Sequence, residues 1–336
     1  MDDSEWLNVI QIASDALECP SAFRDKPFPE CSTVHALAQL PTPPPSDEGS
    51  PIDEAGNDLT VAVSTAFHPD ANLSKTSPDL VLLSSDGVFF YVDAHTLAAA
   101  SSNQFDSLLP ASTTHVHNDH GPVIPIPESA DVINVVLHTV YNMSCGHYTP
   151  TIDTLISSVH ALHKYGMHLK SCLAPSSSLF ALILAQAPLA PIQFYALAGA
   201  YDLHELAVPI SSHLLAYSLS TLTDELATCM GPIYLKRLFF LHLGRMDALR
   251  RLLLPPPHPH PPSAECDFAE QKRLTRAWAL ASAYLAWDAR PDLSTSVIES
   301  ALCSLSDCLN CAECKKSLNE RVKQLVVQWS IVKRTI

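Results

Sequence analysis

The sequence predicts an α+β head followed by an all-α helical region. Three observations carry this expectation. Two short β-rich runs, Leu80-Val81-Leu82-Leu83 and Val88-Phe89-Phe90-Tyr91-Val92, flank the turn signal Ser85-Asp86-Gly87, which is a hairpin pattern. Beyond residue 129 apolar residues recur at helical spacing almost to the end of the chain. The chain also holds 27 prolines and only 9 glycines, which suits helices punctuated by prolines better than glycine-rich phosphate loops.

Taken in order, residues 1–70 read as an acidic, proline-rich, largely disordered tail. The first 60 residues contribute a net charge of −10 out of −15 for the whole chain, and 41–48 has the composition of a linker. A short helix over 6–16 is the structured alternative for its start. The hairpin follows, then helix formers over 96–109, a polar His-rich loop over 110–122, and a strand at 123–127 whose prolines confine it to a sheet edge. Residues 129–143 place Val132, Ile133, Val136, Leu137 and Val140 at helical spacing. Thr149 and Pro150 suit the start of the next helix, and Gly166 its end. Further helices are expected near 177–187, 191–200, 203–219, 223–229, 232–243 and 246–253. The run 255–263, rich in Pro and His, is an extended spacer. Three more helices are expected near 267–288, 293–306 and 313–332.

Length and composition narrow the function. A chain of 336 residues is long enough for about two domains. Its acidity argues against nucleic acid as a partner, because such binding is driven by neutralising phosphates. No charge occurs between Lys170 and Asp202, but Gln186, Pro188, Pro191 and Gln193 interrupt the apolar run. It therefore reads as two buried helices, and no membrane contact is expected. The acidic first residues lack a signal-peptide pattern, so a cytoplasmic or nuclear location is expected, with the ten cysteines as thiols or metal ligands.

Several motifs, in this order, resemble the BTB/POZ domain. Pro78-Asp79-Leu80-Val81-Leu82 is similar to its opening strand. Phe90 to Leu97, with His95 after the second strand, is similar to the segment that follows. Ser102-Asn103-Gln104-Phe105 resembles its Ser-x-x-Phe element, Leu137 to Tyr141 its Leu-x-x-x-Tyr helix, and 153–167 its last helical pair. The segment 234–242, the Pro-His spacer and the ending Trp329 to Ile336 resemble BTB-domain proteins of mushroom-forming fungi. The resemblance implies a short mixed sheet flanked by helices over 76–172, followed by helical regions at 176–254 and 264–336. It further implies a buried Asp79–His95 contact and an apolar interface built from Leu97, Ala98, Phe105 and Leu108. The expected function is a scaffold or adaptor with protein partners, as a homodimer, with a cullin-type ubiquitin ligase as one candidate assembly.

The sharpest chemical pattern is Cys303-x4-Cys308-x2-Cys311-x2-Cys314. Zinc takes four tetrahedral ligands, and one continuous helix cannot aim four such thiols at a point. The metal reading therefore needs a knuckle over 306–314. Cys308, Cys311 and Cys314 are the candidate ligands, completed by Cys303 or Cys266. The alternative is a set of small, partly buried thiols in a helix–loop–helix. An iron–sulfur site lacks a fourth cysteine at workable spacing. Two histidine groups, His115/His117/His120 and His160/His163/His168, are secondary metal candidates, whereas His258 and His260 are expected in solvent. No Gly-x-Ser-x-Gly, phosphate loop or His-Glu-x-x-His occurs, and the expectation is a non-enzyme. A zinc-containing sensor is the alternative function. Finally, 315–336 carries a net charge of +5, and Arg321, Gln324 and Gln328 are expected on an exposed docking face.

Overall fold

The computed structural model describes residues 62–71, 73, 77–109, 121–287 and 289–336. The expected tail helix at 6–16 and the His115/His117/His120 group lie outside the described residues.

The head is α+β. Its hairpin pairs β2 (Leu80–Leu83) antiparallel with β3 (Val88–Val92), matching Leu80 to Val92 and Leu82 to Phe90. These four side chains are buried, so the register puts one apolar row of each strand into the core. The turn is held by Ser84, whose Oγ donates to Asp86 and accepts from Val88 N. β4 (Val123–Pro125) runs parallel to β2 on the sheet edge, where its missing N–H is tolerated. The opposite edge corrects the expected tail boundary at residue 70. There β1 (Ala62–Val63) pairs parallel with β3, and Phe67 is fully buried between Phe90, His138 and Tyr141.

Helix α1 (Ala94–Ala100) starts where the Asp93 carboxylate accepts the N–H groups of His95 and Thr96. It ends in a left-handed turn over Gln104–Ser107, four successive non-glycine residues with φ between 55 and 62°. Phe105 sits in this turn, stacked on Tyr165 at 3.9 Å between centroids. The contacts around the turn offset the strain of the left-handed backbone. Ser101 Oγ accepts from Phe105 N and donates to Tyr165 O, and Asn103 Nδ2 donates to Lys164 O.

Helices α2 (Ala130–Val140) and α3 (Ile152–Lys164) pack against this layer. Thr151, rather than Thr149, caps α3. Gly166 at φ +71° ends it, its N–H bonded to His163 O and that of Met167 to Leu162 O. A short α4 (Leu169–Cys172) leads to α5 (Ser178–Gln186), α6 (Pro191–Ala200) and α7 (His204–Ser211). No helix among the described residues is long and apolar enough to cross a membrane.

The expected helices over 223–253 form one element, α8 (Asp224–Leu253), bent at Gly231 (φ 71°, ψ 166°) just before Pro232. Gly244 does not interrupt it. α9 (Phe268–Trp287), α10 (Thr295–Cys303) and α11 (Ala312–Ser330) follow.

The helical residues beyond 176 are divided between two cores, split within α8. Tyr234 and Leu238 belong to the first core, which runs continuously from the head through α7. Leu249 and Leu253 belong to the second, with Trp278, Leu302, Leu318, Leu325 and Trp329. Arg245 lies at the division. It is 4% exposed and donates to the carbonyls of Pro291, Val332 and Lys333, its guanidinium 4.2 Å from the Trp329 ring centroid.

Candidate metal centre

The C-terminal core brings the Pro-His spacer against the start of α11. Arg321, expected on an exposed face, is instead buried, because unpaired carbonyls at the end of α8 attract it. Its guanidinium donates to Pro255 O at 2.9 Å and to Leu252 O, above the Trp278 ring. Trp278 Nε1 and Ser282 Oγ both donate to Leu253 O, so the end of α8 is further satisfied by side chains. Ser317 Oγ donates to His258 O at 2.7 Å. Pro257 is buried. The spacer is thus a fixed strap, which accounts for why His260 is half-buried rather than in solvent.

Four side chains meet there: His260, Cys266, Cys311 and Cys314, with their candidate ligand atoms all within 4.8 Å of one another. Cys266 Sγ and Cys314 Sγ are 3.6 Å apart, and His260 Nε2 is 3.3 Å from both Cys311 Sγ and Cys314 Sγ. A tetrahedron with 2.3 Å sulfur arms has S···S edges of about 3.8 Å and slightly shorter S···N edges. The 3.6 Å and 3.3 Å separations lie close to those edges, and the group could hold a metal ion.

Each ligand is held from behind. His260 Nδ1 is 2.7 Å from Pro261 O. A proton on Nδ1 makes that bond and leaves the Nε2 lone pair aimed at the sulfurs. Cys266 is fixed by a two-bond backbone turn, Ser263 N to Cys266 O and Cys266 N to Ser263 O. Cys311 is the N-cap of α11, and Cys314 lies one turn inside it. This is the knuckle the metal reading demands, placed at a helix start.

The electrostatics differ across the group. Backbone N–H groups of Cys314 and Glu313 stabilise the Cys311 thiolate and bring its pKa down to about 7. Burial, reinforced by the neighbouring Cys266 and Cys311, pushes Cys314 up to about 12. Burial also raises Cys266. The hydrogen bond to Pro261 O favours protonated His260. Without a cation the site holds its charge poorly; a divalent cation would deprotonate all three thiols together.

Of the sequence candidates, Cys311, Cys314 and Cys266 converge. Cys308 does not. It closes a 3-10 turn over Ser304–Cys308, is exposed, and is not among the grouped ligand atoms. Cys303 ends α10 and packs half-buried against the C-terminal core. His260 was missed. Its signal is a His-x5-Cys pair placed upstream of Cys-x2-Cys.

The BTB-motif residues occupy structural positions. Asp79 is exposed and accepts from Ala94 N at 2.8 Å, while His95 is exposed and uses its backbone N–H on Asp93. The expected buried Asp79–His95 contact is therefore replaced by capping of α1. Tyr141 OH accepts from Asp93 N at 2.9 Å. The expected interface also needs correction. Leu97 and Phe105 are 0% exposed because α1 and the left-handed turn direct them onto the head core, leaving Ala98 exposed and Leu108 half-buried. His160 and His163 pack on Tyr201, with His160 Nδ1 2.5 Å from its hydroxyl, rather than forming a metal group. No family model, curated protein or solved structure matches the chain.

Proposed function

We propose that this protein is an interaction scaffold whose C-terminal helical unit is closed by one structural zinc ion. The observation that carries the metal part is the convergence of His260, Cys266, Cys311 and Cys314, with ligand atoms all within 4.8 Å of one another. Four protein ligands leave no open coordination position, which suits a structural rather than a catalytic site. Ligands from the spacer and from the start of α11, about 50 residues apart in sequence, would be tied at one point, as a small core benefits from a cross-link. Three thiolates and one imidazole favour zinc over the hard cations.

The scaffold part rests on the element order, a hairpin, a helix, an edge strand and two helices, which supports the BTB/POZ reading. In that reading the head docks protein partners and self-associates as a homodimer, and a cullin-type ligase subunit is one candidate partner. Elemental analysis of the full chain tests the metal part. The expected result is one zinc per chain, lost in Cys314→Ser. A chain that neither contains zinc nor takes up added Zn2+ or Co2+ overturns it. Light scattering tests self-association, with a monomer at tens of micromolar as the contrary result.

A further inference from the structure

The metal centre contains a second chemical arrangement. Cys311 and Cys314 form a Cys-x2-Cys pair at the start of α11. Their sulfurs lie within 4.8 Å of each other. Cys311 is half-buried, whereas Cys314 and Cys266 are 4% and 1% exposed. Of the three residues, Cys311 is therefore the one most open to solvent. An outer sulfur held at a helix start with an inner sulfur one turn behind it is the arrangement of a dithiol that accepts oxidant outside and is resolved inside.

Resting on the zinc reading above, we propose that the centre is a peroxide-responsive switch in which a hydroperoxide converts Cys311 and Cys314 to a disulfide and expels the metal. The metal already holds both sulfurs as thiolates. Cys311 Sγ attacks one peroxide oxygen. The S–O bond forms, the O–O bond breaks, and the departing hydroxide takes a proton from solvent to give water. Cys314 Sγ then attacks Cys311 Sγ. The S–S bond forms, the S–O bond breaks, and the second hydroxide is protonated to water. The two sulfurs together lose two electrons, and hydrogen peroxide gains them as it becomes two waters. Zinc is left with His260 and Cys266 alone, too few protein ligands to retain it.

Release also unties the strap. Once Cys311 and Cys314 are joined, His260 and Cys266 lose the metal's tie to α11, while Ser317 on His258 O and Arg321 on Pro255 O still hold the spacer. The end nearest α9 is the part that gains freedom.

The test uses the full chain carrying one Zn2+, titrated with hydrogen peroxide in the presence of a chromogenic zinc chelator. The expected result is loss of the bound zinc with one peroxide consumed per ion. Peptide mass spectrometry should show a Cys311–Cys314 link, and dithiothreitol with added Zn2+ should restore the metal. Cys308→Ser, which removes an exposed thiol outside the centre, should respond as the natural chain does. A first link between Cys266 and Cys314, or oxidation confined to Cys308 while zinc stays bound, overturns the inference. A chain that holds zinc throughout fails this inference alone; a chain that never holds zinc fails the metal reading as well.

Discussion

Replacing Arg245 by Ala tests the joint between the two cores. The guanidinium is 4% exposed and makes three bonds to carbonyls: to Pro291 at 2.6 Å, and from one nitrogen to Val332 at 2.8 Å and Lys333 at 3.1 Å. A bond from a charged donor contributes about 1.5–3 kcal/mol. The Pro291 bond is therefore worth about 2 kcal/mol. The shared pair is worth about 1 kcal/mol more, because Lys333 is exposed and water would replace part of what is lost. Contact with the Trp329 ring adds about 1 kcal/mol. The sum, about 4 kcal/mol, falls within the ~3–5 kcal/mol cost of breaking a buried charged contact. At roughly 2 °C per kcal/mol for a chain of this size, Tm should fall by about 8 °C. Differential scanning calorimetry reads the shift, and fluorescence of Trp329 reports whether the C-terminal segment has come away. Arg245→Lys, which keeps the charge without the planar fork, should lie between the two. If Arg245→Ala unfolds within about 1 kcal/mol of the natural chain, the contacts across the joint do not hold the two cores together and the account of α8 is wrong.

Three further outcomes follow from other parts of the structure. Gly199→Ala should destabilise by about 1–2 kcal/mol in urea titration, although helix propensity alone favours Ala by about 1 kcal/mol, because its Cβ would lie 2.6 Å from Met230 O at the bend of α8; a more stable variant contradicts that close approach. His138 and His242 are both buried, and burial lowers their pKa, opposed by hydrogen bonds to Asn134 O and Leu214 O and, for His242, by nearby Asp292. Their folded pKa values lie below the unfolded value of about 6.5, so the unfolded chain takes up protons first: stability is fully present above that pH and is lost as pH falls through it toward the folded values. Tm of metal-free chain should decline from pH 7 to pH 5, with a smaller slope in His242→Gln, and an unchanged slope in that variant removes His242 from the explanation. Chelation of zinc, or Cys314→Ser, should lower Tm by about 8 °C, from about 4 kcal/mol of linkage for an ion present at a thousandfold its Kd, while Cys308→Ser should leave Tm unchanged; equal effects of the two cysteine variants in a thermal shift assay would undo the assignment of ligands.

Much of the local structure was legible in the sequence because its causes are local. The hairpin followed from two short β-rich runs around Ser85-Asp86-Gly87. Gly166 marked the end of α3 and Pro191 the start of α6, since each depends on the backbone freedom of that one residue. The Cys-x2-Cys pair at 311 and 314 was visible for the same reason. A two-residue parallel strand at Ala62–Val63 has no period to detect, so the start of the folded head was not.

Tertiary structure alone decided where those elements face. The family resemblance implied an exposed patch at Leu97 and Phe105, but a left-handed turn stacks Phe105 on Tyr165 and both residues become core. Arg321 read as part of an exposed docking face. It turns inward to the carbonyls of Leu252 and Pro255, as Arg245 does to those of Pro291 and Val332, all distant in sequence. His260 becomes a candidate ligand only when packing of α9, α10 and α11 brings residue 260 beside residue 311. Spacing along a chain constrains neighbours within a turn or two, whereas a ligand shell closes across about 50 residues, and that distance is set by how the helices between them pack.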